Sequence, residues 1–272
     1  MESARRFRER IQRGHLCIGT NVTLADQTVA EALCGTLDFL WIDMEHNPLT
    51  LMDVQGHIIA TKGTDTTPIV RIRSNDPNLI KQVLDIGAAG VIVPMIQNAK
   101  DVRLAVAACR YPPEGIRGYG PRRPSNYGRS DGPTYCREAN KLVLCMVQIE
   151  HKDALADLDA ILDVSGLDGI VVGPMDLSGA LGHMADPGHP EVMKAIERIL
   201  TKARESRIMV GIAIGNDPDQ AAYWIQNGAH WVSLGCDYTY MLETAQQIKQ
   251  SILDQLNSGR HFDNTERSSS LD

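Results

Sequence analysis

Eight short apolar runs, separated by longer stretches of helical pattern, are the feature that most narrows what this chain can form. The runs are Leu16–Gly19, Phe39–Asp43, Ile69–Ile72, Gly90–Val93, Leu142–Ile149, Gly169–Val172, Met209–Ile214 and Trp231–Leu234. Helical segments such as Gln27–Cys34, Pro77–Ile86, Lys100–Cys109, Pro190–Ser206 and Pro218–Asn227 lie between most of them. Strands joined through helices pair parallel, because only a long crossover returns the chain to the same end of the sheet. Eight such units close on themselves, whereas an open doubly wound sheet ordinarily uses fewer strands. The expected fold is α/β, a single-domain (β/α)8 TIM barrel over residues 1–257, with a polar tail at 258–272 expected to be disordered. The length of 272 residues suits one such barrel.

Composition excludes several function classes. The net charge is −7 and no basic stripe with interleaved aromatics occurs, so no nucleic-acid partner is expected. The arginines Arg5, Arg6, Arg8, Arg10 and Arg13 alternate with Glu2 and Glu9, which predicts one solvated face of an opening helix. No apolar run has the length of a membrane span, and the N-terminus lacks the apolar stretch of a signal peptide, so no membrane partner and a cytoplasmic location are expected. The six cysteines show no metal-ligand spacing and read as reduced, mostly structural thiols. Neither a Walker loop nor a G-x-G-x-x-G fingerprint is present, so nothing points to a nucleotide cofactor. Two stretches rich in Gly, Pro and polar residues, Tyr111–Tyr135 and Leu181–His189, read as long functional loops.

In a (β/α)8 barrel the chemistry sits at the carboxyl ends of the strands. There the second run ends in Asp43-Met44-Glu45-His46, the third at Arg71, the fifth in Gln148-Ile149-Glu150, and the sixth enters Gly173-Pro174-Met175-Asp176. Glu150 closes a strongly apolar run, where an isolated carboxylate either protonates or needs a partner. Asp176 brings a second carboxylate, and two neighbouring anions suit Mg2+ or Mn2+ held through oxygen. The same Glu150 would also serve as a helix cap or an arginine partner. Arg71 either neutralises Glu150 or Glu45, or uses its planar fork on a keto acid or a developing enolate. His46 is either a loop residue or a general base. Gly173-Pro174 is either a plain turn or one whose glycine permits unusual dihedrals and close approach, leaving the Met175 and Asp176 amides for a carboxylate.

These residues, taken with their neighbours, resemble the class II pyruvate aldolases, the family of 4-hydroxy-2-oxoheptanedioate, 2-keto-3-deoxy-L-rhamnonate and 5-keto-4-deoxy-D-glucarate aldolases. The resemblance covers roughly Gly14 to Met241 and rests on Phe39-Leu-Trp-Ile-Asp-Met-Glu-His46, Pro68-Ile-Val-Arg71, Ile80-Lys-Gln-Val-Leu-Asp-Ile-Gly87, Val91-Ile-Val-Pro-Met95, Arg110-Tyr-Pro-Pro-Glu-Gly-Ile-Arg-Gly118, Gln148-Ile-Glu150 and Val172-Gly-Pro-Met-Asp-Leu-Ser178. It implies a carbon–carbon lyase that cleaves or forms 4-hydroxy-2-oxo acids through a metal-stabilised pyruvate enolate, with an aldehyde as second partner. By the resemblance, Glu150 and Asp176 match the ligands of a divalent ion, Mg2+, Mn2+ or Co2+. Arg71, Gln148 and the turn Gly173-Pro174-Met175-Asp176 match substrate-binding positions, and Arg71 also matches the group that stabilises enolate charge. His46 matches the general base and Asp85 a carboxylate that raises its basicity. Asp85 falls late in a helix that should end at the far side of the barrel, so the resemblance implies help from a neighbouring subunit in a homo-oligomer, often a hexamer built as a trimer of dimers.

No lysine stands at a strand end for Schiff-base chemistry, since Lys81 falls in a helix and Lys141 before a strand. Met175, the stretch Gly19-Thr20-Asn21 and the loop Tyr119–Tyr135 with Arg122 and Arg123 depart from the common pattern and are expected to set aldehyde specificity. The competing readings are enolate chemistry on oxaloacetate, citrate-synthase-like or macrophomate-synthase-like, and a non-catalytic binding barrel.

Overall fold

The structure, a computed structural model, describes residues 1–257; the tail expected to be disordered lies outside the described residues. The chain divides into two compact units, Met1–Asp237 and Tyr238–Asp272. The first holds, in order, α1 (Glu2–Gln12), β1 (Cys17–Val22), α2 (Gln27–Leu33), β2 (Phe39–Asp43), α3 (Leu51–Ala60), β3 (Thr67–Arg71), α4 (Pro77–Asp85), β4 (Gly90–Val93), α5 (Ala99–Cys109), α6 (Gly132–Leu142), β5 (Leu144–Ile149), α7 (Lys152–Ala156), α8 (Leu158–Leu162), β6 (Gly169–Val172), α9 (Pro174–Ala180), α10 (Pro190–Glu205), β7 (Met209–Ile214), α11 (Pro218–Gln226) and β8 (Trp231–Cys236). The second unit is described over residues 238–257, all in α12 (Asp237–Asn257), whose Met241, Leu242, Ile248, Ile252 and Leu256 are exposed. All eight strands pair parallel in sequence order, and β8 returns to β1, closing the expected barrel.

Local chemistry explains where the helices begin. The side chains of Asp26, Asp76, Asn98, Asp131 and Asp217 each accept a hydrogen bond from a first-turn amide, and Thr50 with Asp53 forms a reciprocal capping box. Pro77, Pro190 and Pro218 follow their caps directly, where a missing N–H leaves no helical bond unmade.

Alternation along the strands separates two cores. Leu40, Ile42, Val70, Val91, Val147, Ile170 and Ile212 face the helical layer. Their neighbours Phe39, Trp41, Ile69, Ile92, Leu144, Met146, Val171, Met209 and Trp231 fill the barrel interior together with Ala4, Phe7 and Ile11 of α1. Helix α1 therefore plugs the amino-terminal end: Phe7 meets Phe39 edge-on at 5.6 Å and Trp231 at 6.3 Å. Gly211 makes room for this packing, since a Cβ there would sit 2.1 Å from the Trp231 ring.

Two expectations change. The α1 arginines are not a free solvated face, because Arg8 pairs with Asp168 at 2.7 Å, Arg10 with Asp38 at 2.7 Å and Arg6 with Asp65 at 3.6 Å. The helix lies against the acidic loops at the mouth it plugs. The stretch Tyr111–Tyr135, expected to be a long loop, is not one throughout, since α6 begins at Gly132. It leads from the end of α5 into α6 and β5, and a helix-to-strand connection lies at the amino-terminal end. No helix among the described residues is long and apolar enough to cross a membrane.

Candidate active site

The interior positions that are apolar low in the barrel become polar at its carboxyl rim. Phe39 and Trp41 are followed by Asp43, Ile69 by Arg71, and Leu144 and Met146 by Gln148 and then Glu150. Register sets Asp43 of β2 beside Arg71 of β3 and Gln148 of β5 beside Val171 of β6. All four polar groups are buried, with Arg71 6% and Glu150 2% exposed.

Arg71 is held from three sides. Its Nε and Nη2 donate to the two Asp43 carboxylate oxygens at 2.8 Å each, a bidentate fork. Its Nη1 lies 3.0 Å from Glu45 Oε2 and donates to Gln148 Oε1 at 3.4 Å. The guanidinium also stands 5.2 Å over the Trp41 ring. Asp43 is itself fixed, accepting from the Glu45 amide at 3.0 Å and from Asn47 Nδ2 at 2.6 Å. Of the two structural partners expected for Arg71, Glu150 and Glu45, Glu45 is in direct contact, and the bidentate partner is Asp43, which was not expected.

Glu150 Oε1 accepts from the Met95 amide at 2.8 Å, and Oε2 makes a tight hydrogen bond to Gln148 Nε2. Met95 reaches this position with a left-handed φ of 54°, a conformation that aims its N–H at the carboxylate. Burial pushes the Glu150 carboxyl up to about 7, and the nearby Glu45 and Asp176 charges add to the effect. Burial likewise raises Glu45, with Asp43 and Asp176 adding to the shift and Arg71 and His46 opposing it. Asp176 is thus within electrostatic reach of both glutamates, on the first turn of α9.

Gly173 has an ordinary φ of −101°, so dihedral freedom is not why glycine stands there. A Cβ would come within 2.6 Å of both Gln148 Nε2 and Glu150 Oε2, so close approach is the reason. Gly173 offers no side-chain cap to α9, which leaves the amides near Met175 and Asp176 without a side-chain partner from that position. Pro174 is buried at the start of the helix, and Met175 is 53% exposed at the rim. His46 is exposed at the mouth, with Nε2 3.8 Å from Glu45 Oε2.

The structure therefore gathers His46, Arg71, Gln148, Glu150, Gly173 to Asp176 and, in addition, Asp43, Glu45 and the Met95 amide. It does not bring Asp85 to His46 within the chain. Asp85 ends α4 near the start of β4, at the opposite end of the barrel, where Arg117 Nη2 donates to it at 2.8 Å. The signal for Asp43 was parity, since it shares the interior side with Phe39 and Trp41. Nothing in the sequence flagged the Met95 amide.

Four carboxylates, Asp43, Glu45, Glu150 and Asp176, face one arginine that is already paired, so the rim is short of positive charge. The donor set is oxygen alone and glycine at 173 adds no side chain over Glu150 Oε2, which fits a hard divalent cation. A model of the HpcH/HpaI aldolase/citrate lyase family matches residues 18–244. The chain belongs to this family. Within it, the 4-hydroxy-2-oxo-heptane-1,7-dioate aldolase of Salmonella paratyphi C (strain RKS4594) is 40% identical over 245 residues, 89% of this chain and 92% of its own. The HpcH/HpaI family protein of Burkholderia cenocepacia J2315 superposes with a TM-score of 0.85 at 30% identity, over 90% of this chain and 98% of its own. The citrate synthase SbnG shares the barrel with a TM-score of 0.80 at 25% identity, over 93% and 98% of the two chains.

Proposed function

We propose that this HpcH/HpaI family member is a divalent-metal-dependent (class II) aldolase that cleaves 4-hydroxy-2-oxo acids to pyruvate and an aldehyde and runs the condensation in reverse. The reading is carried by one observation, the buried Glu150 pushed up to about 7 beside Asp176 and a tethered Arg71. The relatives named as 4-hydroxy-2-oxo-heptane-1,7-dioate aldolases support it. Glu150 and Asp176 would hold Mg2+, Mn2+ or Co2+, and the ion would supply Lewis acidity to the keto acid.

The chain's own groups do the rest. Gln148 and the amides at Met175 and Asp176 bind the pyruvyl carboxylate. His46, at the open mouth, takes the proton of the C4 hydroxyl as the C3–C4 bond breaks. The electron pair of that bond passes to the pyruvyl fragment, and Arg71 stabilises the enolate charge that results. Asp43 and Glu45 keep the Arg71 plane fixed, so little reorganisation is needed when the charge appears. A proton returned to C3 completes pyruvate. Asp85 would act on His46 only from a neighbouring subunit of a homo-oligomer such as a trimer of dimers. Six free cysteines suit a reducing compartment, and the enzyme acts in the cytoplasm.

The test is deuterium exchange at the pyruvate methyl group in D2O, followed by NMR, on chelator-stripped protein and after resupply of Mg2+, Mn2+ or Co2+. Metal-dependent exchange is expected, together with aldol formation on adding short or acid-bearing aldehydes. A folded protein that exchanges with none of these metals overturns the reading. The likeness to SbnG favours one second reading, condensation of an acetyl thioester with oxaloacetate. Citrate formation from acetyl-CoA and oxaloacetate, with no exchange into pyruvate, would establish it.

A further inference from the structure

The loop after α9 carries a group of side chains that the aldol chemistry leaves unused. His183, His189 and Glu191 each present a ligand atom within 4.8 Å of the others, the only group of three such residues found among the described residues. The His183 and His189 rings stack with centroids 3.4 Å apart and planes 16° from parallel. His183 Nε2 lies 2.9 Å from Glu191 Oε2. That contact lowers the Glu191 pKa, so the carboxylate is ionised at neutral pH.

The backbone holds this arrangement from both sides. The His183 amide donates to Ser178 O at 2.7 Å, the Asp186 amide to His183 O at 2.9 Å and the His189 amide to Asp186 O at 3.2 Å. Ala185 takes a left-handed φ of 62° between the two histidines, turning the chain so that their rings meet. His189 then caps α10, where the Glu191 amide donates to its Nδ1 at 3.3 Å. Because α10 leads into β7, its beginning lies at the carboxyl face of the barrel, the face that carries Asp176.

A hydrogen bond accounts for His183 and Glu191, and a helix cap for His189, but neither accounts for the stacking of the two imidazoles. Two imidazole nitrogens and one carboxylate at this spacing form half of a transition-metal shell, with water completing it. Their softer character separates them from the all-oxygen pair Glu150 and Asp176, which suits Mg2+ or Mn2+. We propose that His183, His189 and Glu191 form a second divalent-metal site, selective for transition metals such as Zn2+ or Ni2+ over Mg2+, which ties the loop after α9 to the start of α10.

The experiment uses the full chain stripped with chelator, in parent and Glu150→Gln forms, so that the carboxylate site is removed independently. Zn2+ is titrated against a chromophoric chelator with excess Mg2+ present, and Ni2+ is added substoichiometrically while histidine ring signals are followed by NMR. Glu150→Gln should retain one Zn2+ site per chain and lose the His183 and His189 ring signals first. Adding His183→Ala or His189→Ser to it should weaken that site at least about tenfold, the scale on which even outer partners of a metal ligand act. Serine keeps α10 capped, so a loss there cannot be assigned to an unwound helix. Equal Zn2+ uptake with and without these histidines, or displacement of Zn2+ by an equal concentration of Mg2+, overturns the proposal. Either result would leave the aldolase reading untouched.

Discussion

Arg71 shows why a residue's surroundings decide its role. Its three nitrogens all have partners in the chain, which by itself would describe a structural ion pair. Yet two of the nitrogens are locked on Asp43 while Nη1 has only the 3.4 Å bond to Gln148 and a contact to Glu45, and that corner faces the carboxylate rim. Arg71→Ala is expected to lower kcat by about 10²–10³-fold with little change in KM, the loss typical of one oxyanion donor. A change confined to KM would reduce Arg71 to substrate binding. Glu150 makes a different prediction, about stability. Its folded pKa of about 7 lies above the ordinary 4.5, so between these values the folded state holds a proton that the unfolded state has released. Stability of the stripped protein therefore falls as pH rises through that window, by about 3 kcal/mol once above 7. Glu150→Gln mimics the protonated acid and escapes the loss. In chelator its Tm should exceed the parent's at pH 8 and converge with it near pH 5; parallel Tm curves would show that Glu150 titrates normally.

At the scale of elements, reading and structure agree where hydrophobic pattern alone decides. β2, β4, β6 and β7 have the predicted bounds, because the first three are buried throughout and β7 is an unbroken run of apolar residues and glycine. β1 runs on through Thr20 and Asn21 to Val22, and β8 through Gly235 to Cys236, where polar or small residues interrupt the apolar pattern. β3 begins earlier, at Thr67, since Pro68 lacks an N–H but its carbonyl still accepts from the Ala89 amide at 2.9 Å. α6 was hidden inside a Gly- and Pro-rich stretch, although Asp131 ahead of Gly132-Pro133 is a regular helix opening. The strand-end rule located Glu150, Arg71 and His46, whereas the amide from β4's end depends on a backbone turn that residue types do not announce. The sharpest element-scale test is the β6–α9 junction. Gly173→Ala keeps an allowed backbone but drives a methyl against Gln148 and Glu150. We expect an overpacking cost of about 1–3 kcal/mol and a loss of metal affinity of at least about tenfold. Unchanged metal binding in isothermal titration would mean that Glu150 is not a ligand.

For the whole molecule, the barrel separates stability from chemistry along its axis. Aromatic rings and α1 close one end, and charged groups that are costly to bury collect at the other. This division is why the fold could be read from alternation and Asp85 could be assigned to the far end of the barrel. A residue at the amino-terminal end could reach a catalytic face only through another subunit, a contact that no single-chain pattern would encode. The division also makes a prediction that spans the molecule. Phe7 is 1% exposed and packs edge-on against Phe39 and Trp231 at the plugged end. Phe7→Ala should destabilise the fold by about 3–5 kcal/mol through the cavity it leaves. The carboxyl rim lies beyond the Trp41 and Met146 layer, so kcat and metal affinity of the folded protein should stay within about twofold of the parent, as expected for independent sites. Denaturant unfolding monitored by tryptophan fluorescence, set beside kinetics well below the new transition, measures both quantities. A large fall in kcat with intact metal binding would show that the two ends of the barrel are coupled and that the plug helps set the geometry of Arg71.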